Sequence, residues 1–180
     1  MLFRSVPDDS DTDTFVAARL CIDSGRWRGV PFLLRTGKRL AGKQQRVSLV
    51  LHRPKGPVTD VPANGNVISL SLAGAGAVDI DVMAKQPGPD LAITPARVSL
   101  DLSKIPGGVP LAPYVSLIHD VLVGDRSLFT TSEGLAQTWR ALQPVLDDRP
   151  EVHTYAPGSW GPTQANALAG EHGWLLGQTE

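Results

Sequence analysis

Cysteine is almost absent from this chain. Cys21 stands alone among 180 residues, so no internal disulfide can form and the sequence suits a reducing cytoplasm. An excess of charge is missing too. Seventeen Lys and Arg against eighteen Asp and Glu leave a net charge of -1, which gives no electrostatic reason to expect nucleic acid or an anionic membrane as a partner. No apolar run approaches a membrane span, and residues 1 to 20 carry several Asp where a secretion signal would be basic and then apolar. His52, His119, His153 and His172 are scattered, with no pair four residues apart and no cysteine cluster beside them, so no metal ligand set is expected. There is no repeat, and Pro and Gly are spread as turn punctuation. The chain reads as one soluble, cytoplasmic domain over residues 1–180, long enough to bury a core without staples.

Catalytic signatures are lacking as well. Ala73-Gly74-Ala75-Gly76 has the look of a dinucleotide turn, but it precedes a strand pattern and lacks the third glycine, so it reads as a hairpin turn. Ser159 in Pro-Gly-Ser-Trp-Gly does not have nucleophile-elbow spacing. His119-Asp120 falls on an apolar helix pattern, where a satisfied structural histidine is the expectation. Cys21 has no neighbouring base and reads as a core or half-buried thiol.

What is present is a succession of periodic segments. Phe15, Ala18 and Ile22 recur at helical spacing with Leu20 beside them. Asp11 or Thr12 would cap that helix, Asp13 would suit its first turn, and Gly25 would end it. Val30 to Leu34 is a short apolar run suited to a buried strand. Strand alternation follows over Gln45 to His52, Asn66 to Leu72, Ala77 to Lys85 and Val98 to Ser103, with a proline- and glycine-rich loop from Pro54 to Gly65. The short link Ala73 to Gly76 implies an antiparallel hairpin. The sheet should therefore have one apolar face and one face of small polar residues. Then the period changes. Pro113 opens a helix striped by Tyr114, Leu117, Ile118, Val121 and Leu122 and closed by Gly124. Ser132 caps another, carrying Leu135, Trp139, Leu142 and Leu146, and Gly161-Pro162 leads into a short one with Ala165, Leu168 and Ala169. The helical stripes are expected to be core. Strands first and helices after indicate an α+β domain, a mainly antiparallel sheet with helices packed on one face and no Rossmann unit.

The stretch Arg26 to Leu40 is where apolar strand, glycine and cations meet. Gly37 would let the chain turn sharply where Arg35, Lys38, Arg39 and Lys43 gather. A basic run by itself reads as solvated surface; anchored at a strand end, the same cations can converge on one anion.

On these residues the chain resembles the carboxyl-terminal half of glucose-6-phosphate dehydrogenase. Thr14 to Ala18, Ile22-Asp23, Arg26-Trp27, Gly29 to Phe32 and Leu34 to Leu40 follow that family's pattern in order. So do Lys85 with Pro87-Gly88, Asp120 with Gly124-Asp125 and Leu128 to Thr130, Trp139, Pro144, Leu146 and Gly158 to Pro162. The likeness runs from about Asp8 to about Gly173. It implies the floor of a glucose 6-phosphate site, with Lys38 and Lys43 as substrate-binding residues, and homodimer pairing through the sheet. The pairing face would be the one with Ser48, Ser69, Ser71, Asp79, Asp81, Ser99, Asp101 and Ser103. Arg35 would be a contact for an anion or for a second, structural NADP, although Gln44 and Ser48 replace the basic residues expected beside it. Val115, Ser116 and Gly134 are further departures. No catalytic residue and no metal ligand is carried over, because the nucleotide turn and the catalytic histidines belong to the preceding half in that family.

The resemblance therefore implies part of an NADP-dependent oxidoreductase that converts glucose 6-phosphate to 6-phosphogluconolactone in the oxidative pentose phosphate pathway. Its nucleotide-binding half would be upstream or separate, and this chain alone would be inactive, with no tightly bound NADP. The alternative is a non-catalytic sugar-phosphate-binding or assembly module of the same fold.

Overall fold

The computed structural model describes residues 12–53, 64–108 and 112–176. Two antiparallel sheets and three helices make up the described chain. Strands β1 (Phe15–Cys21) and β2 (Pro31–Gly37) form a hairpin, and β3 (Arg46–Val50), β4 (Val67–Ser71), β5 (Ala77–Lys85) and β6 (Ile93–Asp101) form a four-stranded sheet in that order. Helices α1 (Pro113–Val123), α2 (Ser132–Asp147) and α3 (Ala165–Ala169) follow. This is the expected α+β class, and among the described residues no strand pair is parallel.

The helix expected around Phe15 to Ile22 is a strand. Phe15 pairs with Gly37, and the register runs through to Cys21 opposite Pro31. Apolar positions 15, 18 and 22 satisfy a helical period, but a full antiparallel ladder on β2 satisfies the backbone groups that face it, and tertiary pairing overrides local period. Of its expected caps, Asp11 lies outside the described residues. Cys21, at the end of this strand, is exposed rather than core. β2 forms where the apolar run predicts a strand, yet Leu34 on it is exposed.

The four-stranded sheet has the two faces that alternation predicts. Val47, Leu70, Val78 and Leu100 align across it as one apolar row, and Leu49, Ile68, Ile80 and Val98 as the next. Ser48, Ser69, Asp79 and Ser99 align as a polar row on the opposite face. The β4–β5 link is the hairpin turn expected. Gly74 and Gly76 have φ of 61° and 90°, the left-handed region that glycine enters at little cost, and the Gly76 amide donates to the Ala73 carbonyl.

The stripes of α1 and α2 are exposed rather than core, whereas Ala165 and Ala169 of α3 are buried. Leu122 is 80% exposed on α1 and Trp139 57% on α2, and α3 is the helix with substantial contact to a strand, β1. The sheet's apolar face is open too, with Val98 61% exposed. Among the described residues neither α1 nor α2 makes substantial contact with the four-stranded sheet. His119 shares the exposure of α1, beside Asp120 at 3.2 Å, and is a surface residue rather than a structural core histidine. The cap of α2 is Thr131, one residue before the expected Ser132; its hydroxyl accepts the Gly134 amide at 3.0 Å. Gly124 closes α1 in the left-handed conformation, as the sequence predicts.

Candidate functional site

A small cluster joins the β1–β2 hairpin to the chain's last third. Phe15 is wedged against two glycines. A Cβ on Gly161 would lie 2.2 Å from the Phe15 ring, and one on Gly37 would lie 2.8 Å from it, so neither position has room for a side chain. Gly37 therefore serves close approach; the left-handed residue of the basic turn is Arg39, with φ of 52°. The Tyr155 ring packs on Phe15 at 5.4 Å between centroids. Pro162, Ala165 and Ala169 are buried beside this wedge, and α3 lies against β1.

The turn that carries the cations is tied down by backbone hydrogen bonds at residues 38, 39 and 41. The Lys38 amide donates to the Thr14 carbonyl at 2.8 Å, the Gly158 amide to the Arg39 carbonyl at 2.8 Å, and the Ala41 amide to the Ser159 carbonyl at 2.9 Å. The Tyr155 hydroxyl lies 2.7 Å from the Lys38 carbonyl and 3.1 Å from that of Thr14. Lys38, Arg39 and Lys43 expose their side chains from this fixed turn. Exposed ammonium groups on an ordered backbone can offer charge-assisted hydrogen bonds to a phosphate without a large ordering cost on the main chain.

Arg35 is placed differently from the lysines. Its guanidinium lies over the indoles of Trp160, at 5.3 Å, and Trp174, at 4.8 Å, and one of its nitrogens donates to the Trp160 carbonyl at 3.4 Å. Partial burial lowers its pKa from the ordinary value, and an arginine remains a cation regardless. Such stacking joins β2 to residues 160 and 174. The Trp174 indole N–H donates to the Ala165 carbonyl at 3.0 Å, which fixes the second ring. Ser159 accepts the Gly161 amide with its hydroxyl, so it supports a turn. Sequence reasoning missed Phe15, Tyr155 and Trp174 as parts of this cluster, because their partners are remote in the chain.

On the four-stranded sheet the polar face carries its own partners. Arg97 binds Asp81 through two hydrogen bonds, at 2.6 and 2.9 Å, which raises the pKa of the guanidinium. Arg46 pairs with Asp79, which also accepts from the Ser99 hydroxyl at 2.8 Å. The Ser48 and Ser69 hydroxyls meet at 2.8 Å, and Ser69 is only 4% exposed.

The glycine turn between β4 and β5 leads into a strand, so this turn offers no helix N-terminus to a pyrophosphate and is not a dinucleotide fingerprint.

A family model, glucose-6-phosphate dehydrogenase, C-terminal domain, matches residues 3–175. The chain belongs to this family. Glucose-6-phosphate 1-dehydrogenase 1 of Mycobacterium tuberculosis is 39% identical over 174 residues, covering 94% of this chain and 36% of that protein. The Leuconostoc mesenteroides enzyme is 31% identical, covering 95% and 37%. Among solved structures, glucose-6-phosphate 1-dehydrogenase from Mycobacterium avium superposes with a TM-score of 0.77 at 36% identity, over 97% of this chain and 38% of that one. A glucose-6-phosphate dehydrogenase in complex with its substrate glucose-6-phosphate superposes with a TM-score of 0.82 at 28% identity, over 96% and 37%. The chain thus spans little more than a third of the glucose-6-phosphate dehydrogenases it matches. Among the described residues no helix is long and apolar enough to cross a membrane.

Proposed function

We propose that this chain is the substrate-binding and dimerising part of an NADP-dependent glucose-6-phosphate dehydrogenase, with the basic turn as the floor of the sugar-phosphate site. Lys38 and Lys43 supply charge-assisted hydrogen bonds to phosphate or hydroxyl oxygens of glucose 6-phosphate. Arg35 holds the turn's strand to the aromatic cluster; an anion or second nucleotide would meet the edge of its guanidinium. The observation that carries the reading is the turn itself: Lys38 and Lys43 exposed on a turn whose backbone is pinned at residues 38, 39 and 41.

Hydride transfer needs a bound nicotinamide and a base at the sugar hydroxyl, and we assign both to a nucleotide-binding part outside this chain. The open apolar sheet face and the exposed stripes of α1 and α2 favour an enzyme component over a free-standing module, since that much apolar surface calls for a covering partner.

Calorimetric titration with glucose 6-phosphate tests the site. Loss of a charge-assisted bond costs about 1.5 to 3 kcal/mol, so Lys38→Ala should weaken binding by roughly one to two powers of ten. Lys43→Ala should weaken it in the same direction, and Lys104→Ala should leave it unchanged. Unaltered binding in Lys38→Ala would overturn the assignment. The same preparation given NADP and glucose 6-phosphate is expected to form no NADPH, and steady formation abolished by denaturation would contradict the division of labour.

A further inference from the structure

We infer that Tyr155 is a positioning residue for the sugar-phosphate site, acting through the backbone of Lys38; this rests on the reading of Lys38 as a phosphate contact. Its hydroxyl is 2.7 Å from the Lys38 carbonyl and 3.1 Å from the Thr14 carbonyl, which itself accepts the Lys38 amide. The single phenolic proton goes to the shorter contact, and the hydroxyl thereby bridges both strands at the open end of the β1–β2 hairpin. The ring is held in place by Phe15, which the bare faces of Gly37 and Gly161 confine.

The arrangement fixes the main chain at the residue whose side chain carries the charge. Next to it stands Arg39, in the left-handed region that an arginine disfavours, and the Gly158 amide holds the Arg39 carbonyl from the same segment as Tyr155. Without the hydroxyl, Lys38 loses one of the two hydrogen bonds that hold its main chain, the one to its carbonyl. The ammonium group then samples more positions around the ligand, and each bound complex must order it afresh. A residue 117 positions away in sequence thus contributes to affinity while touching no ligand atom.

Tyr155→Phe keeps the ring against Phe15 and removes only the hydroxyl. Glucose 6-phosphate titrations of the unmodified chain, Tyr155→Phe, Lys38→Ala and the double variant test the inference. The expected result is a roughly threefold to tenfold weaker affinity for Tyr155→Phe, with the double variant no weaker than Lys38→Ala alone. Such non-additivity is what action through Lys38 requires and a general loss of stability does not produce. Amide exchange should quicken at Lys38 while amides of the β4–β5 ladder keep their protection. Unchanged affinity in Tyr155→Phe with impaired binding in Lys38→Ala would overturn the positioning role and leave the site standing. Two losses that multiply in the double variant would also overturn it. Unimpaired Lys38→Ala would bring down the site and the inference together.

Discussion

Phe15 depends on two absent side chains. Gly161 has φ of 100°, and a Cβ there would fall 2.2 Å from the Phe15 ring, so any other residue is strained twice over, by backbone and by space. Overpacking costs about 1 to 3 kcal/mol, and a left-handed non-glycine residue adds about 1 to 2. Gly161→Ala should therefore lower stability by at least about 2 kcal/mol in urea unfolding. Gly25→Ala, where no atom lies within 4 Å and φ is not positive, should change it by less than about 0.5 kcal/mol. Equal effects at the two positions would contradict the wedge. The gathering of Lys38, Arg39 and Lys43 just past a strand end was legible in sequence because the strand and the charges are neighbours in the chain. Tyr155 was not legible, since nothing local distinguishes it from any surface tyrosine until the hairpin is brought against it.

At the scale of elements, alternation located β3, β4 and β5 well, because each has a face that differs from the other in polarity. It failed for β1, where Phe15, Val16, Ala17, Ala18 and Leu20 leave both faces apolar or small and only pairing with β2 decides. The Ile93 start of β6 also escaped notice, since Pro95 interrupts its pattern. Where that strand ends, Asp101 caps a short 3-10 turn, Leu102–Lys104. The Ser103 hydroxyl, then its amide, then Lys104 hold the Asp101 carboxyl below the ordinary carboxylate range. Because the folded value is depressed, the stabilising contribution is complete above the unfolded value, about 3.9, and is lost as pH falls through the folded one. The Ser103 amide shift should accordingly titrate below about pH 3.9, and Asp101→Asn, which keeps an acceptor, should abolish that step. A midpoint at or above the ordinary value would contradict the cap.

For the whole molecule, the two faces of the four-stranded sheet have different needs. The apolar rows stand open, as do the stripes of α1 and α2. Helical periodicity identified the stripes correctly but could not show that they stand exposed among the described residues. The polar face has its carboxylates Asp79 and Asp81 already paired with Arg46 and Arg97, so bringing a second copy against it does not strand either charge. Its short Ser side chains allow close approach. We therefore expect a homodimer through this face, weakened by Ser71→Arg with unchanged circular dichroism. A folded monomer at high micromolar concentration in sedimentation would contradict it. The most direct test is where glucose 6-phosphate binds, read by a residue-resolved amide-shift titration of the unmodified chain. The prediction is a set of saturable shifts centred on Gly37 to Lys43 and extending to Tyr155 to Ser159, which hold that turn. Shifts centred elsewhere, or none in the basic turn at saturating ligand, would contradict it.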